Sequence, residues 1–229
     1  MELTDALRTT GSVRAFTDEP VADEVLYAIL DDARFAPSGG NRQAWHVIVV
    51  KDEQRRRTLR DLYLDGWHDY VGHVIAGLIP FSPLASDEDR ALAATQRDAA
   101  IAVSKPDGFP ETLDAVPVML VICADLAALA ATDRDLGRYQ IAGGASIYPF
   151  VWNLLLAARS RGLGGVMTTI ATRNEPGVRE ALDMPEDQIV ASIVALGHPV
   201  RPTTKLRRRA VEEFTTNDTF DGARFAPPA

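Results

Sequence analysis

Ala36-Pro-Ser-Gly-Gly-Asn-Arg-Gln-Ala-Trp45 runs without a break into His46-Val-Ile-Val-Val50, so a loop dense in hydrogen-bonding side chains leads straight into a strand. Upstream, Val25, Leu26, Ile29, Leu30 and Ala33 recur at a spacing that buries one face of a helix over residues 23–35. Asp23 reads as its cap and Pro37 as its stop. A plain connector needs one or two turn residues, whereas this one holds Ser38, Asn41 and Gln43 beside Gly39 and Gly40. Glycines let a backbone approach a neighbour closely, and neutral amides and hydroxyls offer both donors and acceptors. The loop reads as a seat for something flat and polar, or as a helix stop and nothing more.

Working outward, the runs 116–124 and 189–196 join 45–50 as strands because all three concentrate Val and Ile. Helical patterns fall at 2–9, 53–64, 144–161 and 175–182. Alternating strands and helices give an α/β or α+β class with a mixed central sheet. The 229 residues can bury a large core and nowhere shift in composition, which favours a single domain over 1–229. Residues 65–111 carry four prolines and the aromatics Trp67, Tyr70, Phe81 and Phe109. They read as an irregular, lid-like insertion or as a disordered connector. A polar tail over 210–229 closes the chain.

Charge narrows the partners. A formal net charge of -8 disfavours nucleic acid, whose phosphates require a surplus of Lys and Arg. A small solute or another protein fits better. Cys123 is the only cysteine, so no intrachain disulfide forms, and MELTDALRTT lacks the order of a signal peptide. A cytoplasmic location is the expectation. The uncharged run 141–158 reaches membrane-span length, but Gly143, Gly144, Ser146, Pro149 and Asn153 make it a poor span. It reads instead as a helix buried within the protein or between two subunits.

Familiar catalytic templates are absent: no G-x-S-x-G elbow, no P-loop, no H-E-x-x-H and no Cys/His ligand spacing. His68 and His73 read as solvated polar residues, and no metal site is expected. Gly162-Leu-Gly-Gly165 follows a helix and lacks a third glycine, which excludes a dinucleotide fingerprint. Two cationic loops remain. Arg8-Thr-Thr-Gly-Ser-Val-Arg14 offers two guanidiniums and three hydroxyls, and Lys205-Leu-Arg-Arg-Arg209 offers four cations. Cations interleaved with hydroxyls suit a phosphate. Either loop alone reads equally as a solvated basic turn, and Glu212 and Glu213 are placed to neutralise the second.

Taken in order, R-T-T-G-S-V-R-A-F, the A-P-S-x-x-N-x-Q-x-W loop, L-A-A-R-S-R-G-L-G-G, L-G-H-P and K-L-R-R-R resemble the FMN-dependent nitroreductase family. The resemblance spans Leu7 to Arg209 and is most specific at the A-P-S loop and the closing basic cluster. It implies an α+β fold with helices around the sheet, an intertwined homodimer, and FMN held at the subunit interface.

By that resemblance, Ser12 and Arg14 fall on the first flavin loop, and Lys205 and Arg207 match its closing phosphate ligands. Pro37, Ser38, Gly39 and Asn41 match the loop reaching the flavin from the partner, with Gln43 either supporting that loop or touching the ribityl chain. Gly164 and Gly165 match a turn close to the reactive side of the ring. Where many members carry a second arginine in the first loop, this chain has Thr10 and Gly11, so either Arg8 supplies the missing charge or the phosphate relies more on Lys205 and Arg207. The implied chemistry is hydride transfer from NADH or NADPH to a small electron acceptor such as a nitroaromatic or quinone. The flavin N5 carries it and no catalytic side chain is needed. Branches of the fold that dehalogenate or consume flavin, and a non-catalytic flavin-storage or sensor protein, are the alternatives.

Overall fold

The computed structural model of the chain describes residues 1–226. Four strands, β1 (Trp45–Val49), β2 (Val118–Asp125), β3 (Gly164–Thr168) and β4 (Gln188–Gly197), form one sheet in the order β1-β2-β4-β3. Every neighbouring pair is antiparallel, so the expected mixed sheet is corrected. Among the described residues, parallel pairing survives only in an isolated bridge between Ser12 and Gly165. Consecutive strands β1 and β2 are neighbours, while β4 returns between β2 and β3 and leaves β3 at the edge.

Helices cover both faces. On one side α2 (Asp23–Ala33) and α6 (Tyr148–Ser160) place Leu26, Ile29, Phe150, Val151 and Leu154 against Leu120, Ile122, Val194 and Leu196. On the other, α3 (Glu53–Ile75) and α7 (Glu175–Ala181) place Leu59, Tyr63 and Val178 against Met119, Val121, Cys123 and Ile193. Side chains alternate along a strand, so a strand covered on both faces has no polar position to spare. Val118 to Ala124 are accordingly all buried.

Several boundaries moved. The N-cap of α2 is Ala22, not Asp23, whose carboxylate instead pairs with Lys51 at 2.5 Å. The charged helix expected at 53–64 continues to Ile75. Much of 65–111 is helical rather than irregular, with α4 (Asp87–Thr95) and α5 (Arg97–Ala102) following α3. Ser86 caps α4 through a reciprocal pair with Asp89, which fixes its start. Arg97 of α5 bonds Asp65 and Asp69 of α3, and Asn174 bonds both the Leu62 carbonyl and Asp65, so the segment is tied down. Asn174 and Arg97 together hold the Asp65 carboxyl below its ordinary value.

The run 141–158 is not one helix: a 3-10 turn (Ala142–Ser146) precedes α6, and Pro149 sits in its first turn. No described helix is long and apolar enough to cross a membrane. The tail prediction at 210–229 falls partly outside the described residues. Within them, Asn217 and Ala223 and then Thr215 and Phe225 pair through their backbones in a small exposed loop.

Candidate functional site

The cationic loops meet. Helix α1 (Leu3–Thr9) ends at Thr10, and the chain then lies along the start of β3, where the Val13 amide donates to the Gly165 carbonyl at 2.9 Å. It continues beside the segment that follows β4: Thr17 donates to His198 and Val200 donates to Ala15. That segment folds back so that Thr203 and Leu206 fill the space a side chain at Gly11 would take, with Leu206 Cδ2 only 2.9 Å from the missing Cβ. Gly11 is therefore required by close approach of two loops.

Arg8, Ser12, Arg14, Lys205 and Arg207 all stand exposed at this corner. None of its four cations lies in an ion pair among the described residues, whereas about half of the arginines elsewhere pair with a carboxylate. Glu212 and Glu213 do not neutralise Lys205 to Arg209: the Glu213 carboxylate caps the Ala210 amide at 3.1 Å. Burial pushes Tyr63, in the middle of α3, above its ordinary value, and its bond to Thr168 and then the charge of Arg14 partly offset that. The Tyr63 hydroxyl bonds Thr168 Oγ1 at 3.2 Å.

Gly164 and Gly165 form the first two residues of β3 rather than a turn, and both are buried. A Cβ on Gly164 would meet Val13 at 2.7 Å, and one on Gly165 would meet Leu196 at 2.4 Å. Their missing side chains make room for the chain's own packing.

The Ala36–Trp45 loop is a separate corner. Gly40, Asn41 and Gln43 have φ of 60°, 52° and 51°, left-handed values that Gly and Asn accept most readily. The Gln43 amide donates to Ser38 Oγ at 2.9 Å, the Asn41 amide to the Ser38 carbonyl at 2.9 Å, and the Gln43 side chain to Asn41 Oδ1 at 3.4 Å. Gly39 donates to Ser146 Oγ at 3.0 Å, which fixes the loop to the start of α6. Pro37 and Asn41 are exposed and Ser38 is half-buried.

This loop touches the chain at Ser146, ahead of α6, while the cationic corner touches Arg159 near its end. At 1.5 Å rise per residue the two corners lie about 20 Å apart. Within one chain the expected site residues form two groups, not one.

The nitroreductase family's sequence profile matches residues 7–198, most of the chain. The chain belongs to the nitroreductase family. It is an enzyme of that family, whose relatives include NAD(P)H-dependent reductases. A nitrobenzene nitroreductase from Ectopseudomonas oleovorans is 26% identical over 220 residues, covering 93% of this chain and 95% of the relative. An FMN reductase [NAD(P)H] from Bacillus subtilis is 24% identical over 229 residues, covering 96% and 74%. The crystal structure of oxidized iodotyrosine deiodinase bound to FMN and 3-iodo-L-tyrosine superposes with a TM-score of 0.66 at 21% identity, covering 96% of this chain and 100% of that one. That likeness establishes the fold. The family match stops at His198, so Lys205 and Arg207 rest on the geometry above.

Sequence reading missed Arg159, the residue of this nitroreductase that touches both cationic loops. Its Nη2 donates to the Thr203 carbonyl at 2.8 Å and to Thr9 Oγ1 at 3.3 Å. No local pattern marks it, because its partners lie 150 and 44 positions away in sequence. His73 also departs from expectation: it is buried, bonds the Asp69 carbonyl at 2.8 Å and packs on Phe81 at 4.9 Å between ring centroids. His68 bonds Ser104, and the described residues hold no cluster able to bind a metal. Burial pushes the Cys123 thiol up to about 11, so it is no nucleophile.

Proposed function

We propose that this nitroreductase is an FMN-dependent oxidoreductase that takes hydride from NADH or NADPH and passes it to a nitroaromatic, quinone or similar acceptor in a ping-pong cycle. The observation that carries the proposal is the corner of Arg8, Arg14, Lys205 and Arg207, four exposed cations without a carboxylate partner in a chain of net charge -8. Such a donor set fits a phosphate, since each charge-assisted hydrogen bond contributes about 1.5–3 kcal/mol. FMN bound there supplies N5 as the point where hydride enters and leaves.

The chain's own residues bind and orient. Lys205 and Arg207 hold the phosphate with Arg8 in support, and the Ser12 hydroxyl adds a neutral donor. Arg14, on the side facing Tyr63, provides the positive charge that favours electron density on the N1/O2 edge of a flavin. A ping-pong cycle asks for no protein nucleophile, in keeping with the buried Cys123.

The second corner, Pro37 to Gln43, completes the site from another copy of the chain. Two features support this homodimer. The corners stand at opposite ends of α6, and beside the first turns of that helix lies an apolar face that the chain leaves bare. Leu126, Ile141, Tyr148 and Trp152 line a groove of about 950 Å³ there, with Ile141 76% exposed. A subunit related by twofold symmetry would cover that face and bring its own loop to the partner's cations.

The test is direct. Cofactor released from the purified protein is identified by mass spectrometry, and the yellow protein is then mixed anaerobically with NADH or NADPH. FMN release, bleaching, and return of colour with nitrobenzene or a quinone are expected. Release of FAD, or no cofactor after reconstitution, overturns the reading; FMN without bleaching makes the protein a flavin store or sensor.

A further inference from the structure

The first cationic loop lacks an arginine at Thr10 or Gly11, and the structure shows what occupies that place. Thr10 is buried with its hydroxyl turned back to the Ala6 carbonyl at 2.7 Å, and Gly11 is covered by Thr203 and Leu206. Arg8, one expected substitute, is exposed and makes no ion pair among the described residues. Beneath this junction the guanidinium of Arg159 arrives from the end of α6. A single nitrogen, Nη2, donates to Thr203 O and to Thr9 Oγ1, while the Thr9 hydroxyl itself donates to the Asp5 carbonyl at 2.7 Å. One contact is on the last residue of α1 and the other lies two residues ahead of Lys205.

Arg159 has no acidic partner. No carboxylate pairs with it among the described residues, and its Nε is buried without any hydrogen-bond partner. Its neighbour Arg161, by contrast, pairs with Asp32 at 2.8 Å. A half-buried guanidinium without a counter-ion is costly unless hydrogen bonds compensate it, and among the described residues Thr203 and Thr9 provide them.

We infer that Arg159 is a positioning residue: it latches the 203–207 segment onto the end of α1, and so holds Lys205 and Arg207 at the corner that also carries Arg8 and Arg14, where a phosphate would bind. The inference rests on the FMN reading for its ligand, though the latch itself is a property of the ligand-free chain. Arg159 acts through the segment it holds: both of its hydrogen bonds go to the chain itself, at Thr203 and Thr9.

The full-length protein is compared with Arg159→Met, which keeps length and loses charge and donors, and Arg159→Lys, which keeps both on a shorter stem. FMN is titrated by fluorescence, and amide exchange of residues 203–207 is followed in the ligand-free proteins. Arg159→Met should bind FMN about tenfold more weakly and exchange faster at 203–207 alone; Arg159→Lys should recover most of both. Equal FMN affinity and unchanged exchange in Arg159→Met overturn the latch, as does a Lys variant as impaired as the Met one, which would assign the effect to packing. Failure of the wild type to bind FMN defeats the functional proposal, while the exchange readout still decides the latch.

Discussion

The two ends of α6 carry polar clusters organised in opposite ways. At its start, the Ser38–Gln43 loop uses its hydrogen-bonding capacity on itself and on Ser146, and holds three residues at positive φ. At its end, packing and the Arg159 bonds set the shape, with Leu206 seated over Gly11, and the exposed charges of Arg8, Arg14, Lys205 and Arg207 are left free. The first corner offers a fixed backbone surface; the second offers uncompensated charge. A neutral face suits the polar edge of a planar ring, and a charged one suits a phosphate. The contrast is open to attack because shape and charge respond differently to salt.

The largest effect is expected at the charged end. Removing two cations with Lys205→Ala and Arg207→Ala forfeits two charge-assisted bonds, so FMN affinity should fall by at least about a hundredfold at low salt. The gap to wild type should narrow as salt rises, because screening weakens what the wild type retains. A fluorescence titration at several salt concentrations measures both. Affinity that does not change makes Lys205 to Arg209 a solvated turn and removes the charge side of the contrast.

The strands and the two corners differ in how much of them the sequence discloses. Val118 to Ala124 could be read because burial on both faces leaves an unbroken apolar run. Strand β3 escaped because it begins Gly164-Gly165, poor strand formers whose use is decided by Val13 and Leu196, residues far away in sequence. The extension of α3 was masked by aromatics that look like loop anchors but stack along the helix, Trp67 on Tyr70 at 5.0 Å. Both cationic loops were visible as composition. That they meet, and that Arg159 joins them, depends on contacts across the fold that no local pattern encodes.

The second prediction asks whether the corners cooperate across subunits. One chain carries Ser38→Ala with Asn41→Ala, the other Lys205→Ala with Arg207→Ala, and the two are mixed after exchange of subunits. If each site draws one corner from each copy, half the dimers are mixed and each has one intact site, so bound flavin should return to about a quarter of the wild-type content. Proven exchange with no recovery would place both corners on a flavin held within one chain, and sedimentation as a monomer would exclude sharing altogether.

A smaller effect tests shape at the neutral end. Gly40 has φ of 60°, where a β-branched side chain is strained, so Gly40→Val should destabilise the fold by about 1–3 kcal/mol in urea unfolding. Its FMN affinity should drop by a factor that is the same at low and high salt. A loss that fades with added salt would mean that this corner, too, works through charge.

The smallest expected effect comes from the bond that fixes the neutral loop to α6. Ser146 is buried, and its hydroxyl accepts from the exposed Gly39 amide, so Ser146→Ala removes one acceptor while adding no bulk. Water can reach Gly39 and partly replace the lost partner, which keeps the cost near about 1 kcal/mol. The Ser38, Asn41 and Gln43 bonds remain, so the loop should keep its conformation but exchange its amides faster, most of all at Gly39. The cationic corner lies about 20 Å away along α6 and makes no contact with Ser146, so exchange at residues 203–207 should not change. If Ser146→Ala loosens both ends together, α6 transmits between them, and the two corners form a single coupled unit rather than two independently built halves of a site.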